Sequence, residues 1–328
     1  GDENDMGFSN LFLSQNYEAN AALPIADGAD TIATVDGSNL PTGWYALVGN
    51  HPTNDTVVHT DGVTTMWYKR ELVRITSSTN GVSTLGGAVG REFENPVLYR
   101  MEADGGGMKK VCENITVENI VMDGRLGERR SGRDIVNKST RANRVFVLGA
   151  GVNCTLRNIT IKGFRNFGAG IRLSRGVTID NVDVTDGQIT VLGYGFEVMG
   201  SRFISFTNCR FSNLRWGVLW GAGCTDNSVT DCVVADTPNS GFDCSHGMDE
   251  RRIIYTRCIA NVYSIGNPAY LRGAQNISLI DCTARQQMNV YANVDNVQIL
   301  GKHPNEAMTS PLISLVSGLL YARAAETG

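Results

Sequence analysis

The chain has little of what marks several common functional classes. Its 29 basic and 33 acidic residues nearly balance, so the composition gives no reason to expect nucleic acid or an anionic membrane as a partner. The longest apolar run, residues 311–320, is too short to span a bilayer. Only four histidines occur, and no cysteines have the CxxC spacing of a structural zinc site. We therefore expect no nucleic-acid partner, no membrane span, no metal and no cofactor.

A helical periodicity is also missing, and a different repeat takes its place. Short alternating segments are separated by polar turn residues that recur at steps of 39, 23, 27, 23, 26 and 24 residues. A near-constant period in the twenties with strand-like segments predicts a β-solenoid. The turn residues of this ladder are Asn119, Asn158, Asn181, Asn208, Asp231, Arg257 and Asp281.

Four of the eight cysteines directly follow the last four turn residues of the ladder: Cys209, Cys232, Cys258 and Cys282. They fall on inward positions of the strands, as does Cys154. A free cysteine at such a position is a small buried hydrophobe. We therefore predict stacked interior thiols rather than a disulfide framework.

The pattern changes along the chain. Residues 1–40 are polar and weakly patterned, which predicts an N-terminal arm. Residues 41–110 hold short strand-like runs, with Asn80-Gly81 as a hairpin signal. Residues 111–300 carry about seven coils of the solenoid, and residues 301–328 leave the repeat as a C-terminal cap or tail. Since the first residue is Gly1 rather than Met, we expect a processed chain or an expressed piece of a longer one.

One coil carries a long polar insertion, residues 125–143, which is rich in arginine. In repeat proteins, insertions collect on one face, and this is often the binding face. The same segment is equally compatible with a solvated loop, and both interpretations stay open.

Residues 111–300 resemble the right-handed parallel β-helix of the pectate-lyase-like superfamily. Segments 44–48, 68–75 and 82–85 resemble the region that precedes the helix in the phage tailspikes and bacterial polysaccharide-degrading members of that superfamily. The resemblance implies an all-β fold, a polysaccharide ligand, an extracellular or virion location and a homotrimer. The reaction is not implied, because the superfamily includes lyases, hydrolases, epimerases and non-catalytic adhesins. The polygalacturonase motifs are missing, apart from Ser245-His246-Gly247.

The second strand of each coil carries the candidate site. Side chains alternate inward and outward along a strand, so we expect an outward column made of Arg172, Glu197, Leu219, Asp243 and Arg272. Two strand spacings put the backbones of Glu197 and Asp243 at roughly 10 Å. Their carboxyl groups could then approach the separation of about 6.5–9.5 Å that inverting glycoside hydrolases use. The competing interpretation is an ion-pair ladder that only stabilises the sheet.

We assign roles to this column as hypotheses. Asp243, with Leu219 as an apolar neighbour, is the candidate acid, and Glu197, closer to an arginine, is the candidate base. Arg172 and Arg272 would hold an acidic group of the glycan. His246 would assist as acid or base, unless it is merely structural or exposed.

One aromatic residue extends the candidate site. Trp216 lies at a turn and could stack on a sugar ring, whereas Trp220 has inward parity and is expected in the core.

Two functions follow from the sequence. The first is an extracellular polysaccharide-degrading enzyme, either hydrolase or lyase, similar to a tailspike depolymerase. The alternative is a non-catalytic carbohydrate-binding or structural β-helix, such as an adhesin of a virion or cell surface. The paired carboxylates favour the enzyme, and the missing catalytic motifs favour the adhesin.

Overall fold

The computed structural model describes residues 19–49, 56–58, 64–101, 111–124, 144–187, 193–244, 249–266, 273–291, 294–301, 313–316 and 321–322. All regular elements within these ranges are β-strands. No helix in this part of the chain is long and apolar enough to cross a membrane.

Among the described residues, eight strands precede the solenoid, and six of them form one antiparallel sheet in the order β1-β8-β3-β6-β7-β2. We call these six the N-terminal sheet; β4 and β5 pair as a separate hairpin. The eight strands are β1 (Ala19–Ala21), β2 (Thr31–Ala33), β3 (Gly43–Gly49), β4 (Thr56–Val58), β5 (Thr64–Tyr68), β6 (Arg70–Thr79), β7 (Val82–Leu85) and β8 (Pro96–Arg100).

The predicted hairpin at Asn80-Gly81 is confirmed. Thr79 pairs with Val82, and both turn residues have positive φ, 52° at Asn80 and 74° at Gly81. This backbone suits an Asn-Gly hairpin turn, since both residues tolerate the left-handed region. The structure differs from the predicted N-terminal arm, because β1 pairs with β8 and β2 pairs with β7. The described part of the first 40 residues is thus held in the sheet by ladder hydrogen bonds.

In the described part of the solenoid there are twenty-one further strands, and each pairs in parallel with strands one coil away. They are β9 (Cys112–Glu113), β10 (Thr116–Asp123), β11 (Phe146–Gly149), β12 (Gly151–Val152), β13 (Thr155–Phe164), β14 (Phe167–Arg172), β15 (Arg175–Gly187), β16 (Tyr194–Met199), β17 (Arg202–Thr207), β18 (Arg210–Ser212), β19 (Trp216–Gly221), β20 (Thr225–Thr230), β21 (Val233–Ala235), β22 (Phe242–Cys244), β23 (Arg251–Thr256), β24 (Ile259–Ile265), β25 (Gln275–Ile280), β26 (Thr283–Tyr291), β27 (Asp295–Leu300), β28 (Ile313–Val316) and β29 (Tyr321–Ala322). The parallel β-helix predicted from the repeat is confirmed.

The repeating turn residues have a common backbone conformation. All seven lie in the left-handed region, with φ between 49° at Arg257 and 57° at Asn119. Asparagine and aspartate tolerate this region better than most residues, which explains why they dominate the ladder. The Nδ2 of Asn158 donates to Oδ1 of Asn119 at 3.1 Å, and the Nδ2 of Asn181 donates to Oδ1 of Asn158 at 2.9 Å. The turns of successive coils are therefore stacked by their own side chains.

The interior of the solenoid is apolar and contains the predicted thiol column. Cys209, Cys232, Cys258 and Cys282 are each 0% exposed, and the backbone N–H of Cys209 donates to the Sγ of Cys232 at 3.4 Å. The thiols fill space between larger apolar side chains such as Phe206. This prediction is confirmed.

The parallel pairing continues beyond residue 301. Strand β28 pairs with β26, and β29 pairs with β27. The expectation that the chain leaves the repeat after Gly301 is therefore wrong for these strands. Parallel strands are joined by hydrogen bonds between backbone groups, which do not depend on the side chains. The solenoid therefore continues although the repeated turn residues end.

The N-terminal sheet packs against the solenoid through apolar and charged contacts. Trp44 and Leu72 of the sheet share a buried cluster with Val152 and Leu173 of the solenoid. Beside this cluster, the carboxylate of Glu71 accepts hydrogen bonds from solenoid arginines. The solenoid is therefore covered along one corner by the sheet.

Candidate active site on the second strand column

The second strands of successive coils carry one outward column with two carboxylates. Strand pairing places Glu197 opposite Leu219, and Leu219 opposite Asp243. Inward neighbours such as Phe196 and Val218 are buried in the core, as predicted. Glu197 and Asp243 thus lie two strands apart on one face, about 10 Å between backbones.

The rest of the predicted column needs correction. Arg172 lies opposite Met199, whereas the residue opposite Glu197 is Gly170. On the other side, the residue opposite Asp243 is Ser264, and Tyr263 takes the inward place expected for Leu271. The coil after Asp243 has fewer residues than the predicted column required. The residue paired with Asp243 therefore lies several positions earlier in the chain than Arg272.

Two predicted site residues cannot be placed. His246 and Arg272 lie outside the described residues, as does the insertion at 125–143. Their assigned roles remain predictions.

Arg172 nevertheless reaches Glu197. Its guanidinium forms an ion pair with the Glu197 carboxylate, and the two side chains are only 8% and 13% exposed. The Arg172 guanidinium also lies over the ring of Phe167, 5.2 Å from the centroid. The ion-pair interpretation therefore holds for this pair, and the charge of Arg172 is already compensated.

An aromatic pair lies beside the carboxylates. Tyr194 and Trp216 face each other on neighbouring strands, with ring centroids 4.5 Å apart and planes inclined at 28°. The guanidinium of Arg215 lies over the Trp216 ring at 4.5 Å from the centroid. Each aromatic residue is followed by a glycine, Gly195 or Gly217, whose added Cβ would collide with a neighbouring coil. Because these glycines pack tightly against the next coil, they fix the positions of the aromatic side chains that precede them.

Tyr194 connects the aromatic pair to the charged groups. Burial raises the pKa of its hydroxyl to about 12, Arg215 lowers it, and Glu197 and Asp243 raise it further. The hydroxyl is therefore protonated at neutral pH and can donate a hydrogen bond. Because all three charged groups act on it, Tyr194 lies within electrostatic reach of both carboxylates and of Arg215.

We call this surface the aromatic–acid face, defined as Tyr194, Glu197, Arg215, Trp216, Leu219 and Asp243. Leu219 is 2% exposed and Asp243 is 1% exposed, whereas Tyr194, Arg215 and Trp216 are half-buried. The face therefore offers accessible rings and a cation beside deeper carboxylates. Within the described residues, no three metal-ligating side chains of His, Cys, Asp or Glu come together.

Sequence reasoning missed Tyr194 and Arg215. A signal was present, because Phe167-Gly168, Tyr194-Gly195 and Trp216-Gly217 repeat an aromatic residue before the glycine of the second strand. Alternation alone does not show that the strands begin before the glycine, so these aromatic residues look like turn residues in the sequence.

Comparison with known proteins supports the fold. Residues 143–300 match the family described as right handed beta helix region. The tailspike gp61 of Pseudomonas phage phi297 has a TM-score of 0.58 at 12% identity, covering 91% of this chain and 49% of that one. The gp54 tailspike of Acinetobacter baumannii bacteriophage AP22, solved with a capsular saccharide, has a TM-score of 0.47 at 12% identity, covering 92% and 52%.

One curated relative also matches. The colanic acid biosynthesis protein WcaM of Shigella flexneri is 24% identical over 161 residues, which cover 42% of this chain and 33% of that protein. The chain thus spans about half the length of the phi297 tailspike and a third of WcaM. The predicted resemblance to right-handed parallel β-helix proteins is confirmed at the level of the fold.

Proposed function

We propose that this right-handed β-helix binds and cleaves an extracellular polysaccharide on the aromatic–acid face. The observation that carries the proposal is the juxtaposition of Glu197 and Asp243 in one outward column with the Tyr194–Trp216 pair beside them. Aromatic rings offer an apolar surface to a sugar ring, and paired carboxylates supply general acid and base. The likeness to a phage tailspike is consistent with a surface glycan as ligand.

The proposed chemistry divides the work between the carboxylates. Glu197, held in its ion pair with Arg172, acts as the base, and Asp243, beside Leu219, acts as the acid. Their strand positions suit the wide separation of an inverting hydrolase, which leaves room for a water molecule. A lyase would use the same pair to remove a proton and to protonate the leaving oxygen. His246 and Arg272 are retained in this proposal as auxiliary and binding residues.

A second candidate function is binding without cleavage, as in an adhesin. It is favoured by the engagement of Glu197 with Arg172 and by the deep burial of Asp243, since both carboxylates contact protein rather than solvent. In this case Tyr194 and Trp216 would bind the sugar, and the carboxylates would only hold the face in shape.

Location and assembly belong to the same proposal. An extracellular or virion protein that works as a homotrimer is expected from the resemblance to tailspikes. Sedimentation equilibrium at micromolar concentration would give three times the mass of the chain. A stable monomer there would contradict the trimer without affecting the site.

The experiment is a screen of acidic and neutral bacterial polysaccharides, followed by reducing ends and by the ultraviolet absorbance of unsaturated uronates. On a cleaved substrate, Glu197→Gln and Asp243→Asn should each lower the rate at least about 100-fold, as expected for loss of acid or base catalysis. Glu118→Gln is the matched control, since Glu118 forms a comparable cross-strand pair with Arg157 elsewhere on the solenoid.

The possible outcomes separate the two functions. Binding without any cleavage by the parent protein would favour the adhesin. Full activity of both amide variants on a substrate that the parent cleaves would place the reaction outside the aromatic–acid face.

A further inference from the structure

We infer that Arg215 is the residue of the aromatic–acid face that binds the acidic group of its ligand, and that the ligand therefore contains an anionic sugar. The inference rests on the proposed function and names the substrate class of the same site. It differs from the sequence-based assignment, which gave this role to Arg172 and Arg272.

Arg215 is held in place by two contacts. Its backbone N–H donates to the carbonyl oxygen of Gly193 at 2.9 Å, which fixes the chain at the start of β19. Its guanidinium lies over the Trp216 ring at 4.5 Å. Its charge also lowers the pKa of the nearby Tyr194 hydroxyl. A planar guanidinium fixed beside an aromatic surface is suited to bidentate recognition of a carboxylate.

The charge of Arg215 is available, unlike that of Arg172. Arg172 is 8% exposed and paired with Glu197, so its charge is compensated within the protein. Arg215 is half-buried and has no ion-pair partner in the described part of the chain. By contrast, the exposed Arg257 on a turn of the solenoid is paired with Asp231. On this face Arg215 combines a charge without an ion-pair partner among the described residues with a position over an aromatic ring.

An anionic ligand has to bind next to the negative charge of the two carboxylates. Glu197 and Asp243 would repel an anionic sugar, so such a ligand needs a cation on the face to offset them. Tyr194 is within electrostatic reach of Glu197, Asp243 and Arg215 together. A sugar that packs against the accessible parts of the Tyr194–Trp216 pair can direct its acidic group to Arg215 while its glycosidic oxygen faces the carboxylates.

The test uses two small probes, sodium D-galacturonate and D-galactose, which differ by one carboxylate. Their affinities for the full chain are measured by NMR titration of the tryptophan indole signals. The parent protein should bind galacturonate about tenfold more tightly than galactose, as expected for a charge-assisted hydrogen bond. Arg215→Gln should remove this preference by lowering the affinity for galacturonate to that for galactose. The matched control, Arg257→Gln, alters an exposed arginine on a turn and should keep the preference.

The outcomes also separate this inference from the proposed catalysis. A parent protein that binds galactose as tightly as galacturonate, or binds neither, overturns the inference. A preference that survives in Arg215→Gln overturns it as well. If Arg215-dependent galacturonate binding is seen while no polysaccharide is cleaved, acid recognition stands and catalysis fails. Cleavage of neutral polysaccharides by Arg215→Gln at the parent rate would retain catalysis and reject the anionic ligand.

Discussion

Replacing Glu71 by glutamine should strongly destabilise the chain, because this carboxylate joins the N-terminal sheet to the solenoid. Glu71 is 3% exposed and accepts hydrogen bonds from the backbone N–H of Gly90 at 2.8 Å and from Nη1 of Arg202 at 2.9 Å. Nη1 of Arg175 donates to the same carboxylate at 3.2 Å. One acidic group therefore bridges two guanidinium groups, and Arg202 has a second carboxylate partner in Asp226.

The arginines make the loss of this charge costly. Arg175 and Arg202 face each other on neighbouring strands, roughly 5 Å apart along the solenoid. Burial and the neighbouring Arg202 lower the pKa of Arg175, and Glu71 raises it. Two unit charges 5 Å apart repel by about 3 kcal/mol at an effective dielectric constant of 20. Removing one partner of a buried ion pair costs about 3–5 kcal/mol, so we expect a loss near 3 kcal/mol for these partly accessible arginines.

The assay is urea unfolding followed by tryptophan fluorescence, in which Trp44 reports on the interface through its hydrogen bond to Glu113. Glu118→Gln is again the matched control. Its partner Arg157 is 52% exposed, and exposed pairs contribute about 0–1 kcal/mol. If Glu71→Gln loses no more free energy of unfolding than Glu118→Gln, the reasoning about this interface is wrong.

Three further predictions concern acid stability, coil packing and the thiols. Burial raises the pKa of Glu92, but hydrogen bonds from Arg251 outweigh it and lower the pKa to about 2. The pKa of a glutamate in the unfolded chain is about 4.3, so Glu92 stabilises the fold above that pH and loses this contribution as the pH falls towards 2. Glu92→Gln should therefore make the free energy of unfolding less dependent on pH between these two values. An unchanged pH dependence would contradict this prediction. Gly195→Ala should lower the free energy of unfolding in urea by about 1–3 kcal/mol, because its methyl group overlaps the next coil. Gly86→Ala is the control and should lower it less, because Gly86 has room for a methyl group. Ellman's reagent should modify Cys112 alone in the native chain, because the other seven thiols are buried; more than two reactive thiols would contradict the packing.

The architecture was readable from the sequence because its causes are local and repeated. Asn158 and Asn181 occur where the backbone must enter the left-handed region, which few other residues tolerate. Cys232 and Cys258 occur where alternation points a side chain inward. Each coil repeats the same constraints, so an error in one coil does not hide the pattern.

The candidate site was only partly predictable. Glu197 and Asp243 were placed correctly because both lie one residue after an inward aromatic residue of a clear strand. The place beside Asp243 was expected for Arg272, but the strand pairing gives it to Ser264, because loop lengths vary between coils. Arg215 was missed because its importance depends on the ring beneath it and on the absence of a carboxylate partner among the described residues.

The sequence by itself determined the solenoid, its turns and its interior, since these depend on φ preferences and on side-chain alternation within a few residues. The tertiary structure decided which charges meet. Glu71 lies 104 residues before Arg175 and 131 residues before Arg202, and no local pattern relates them. Arg172 and Glu197 likewise form an ion pair from positions that are not opposite each other in the sheet. Burial and long side chains set these contacts, and both follow from how the coils and the N-terminal sheet pack together in space.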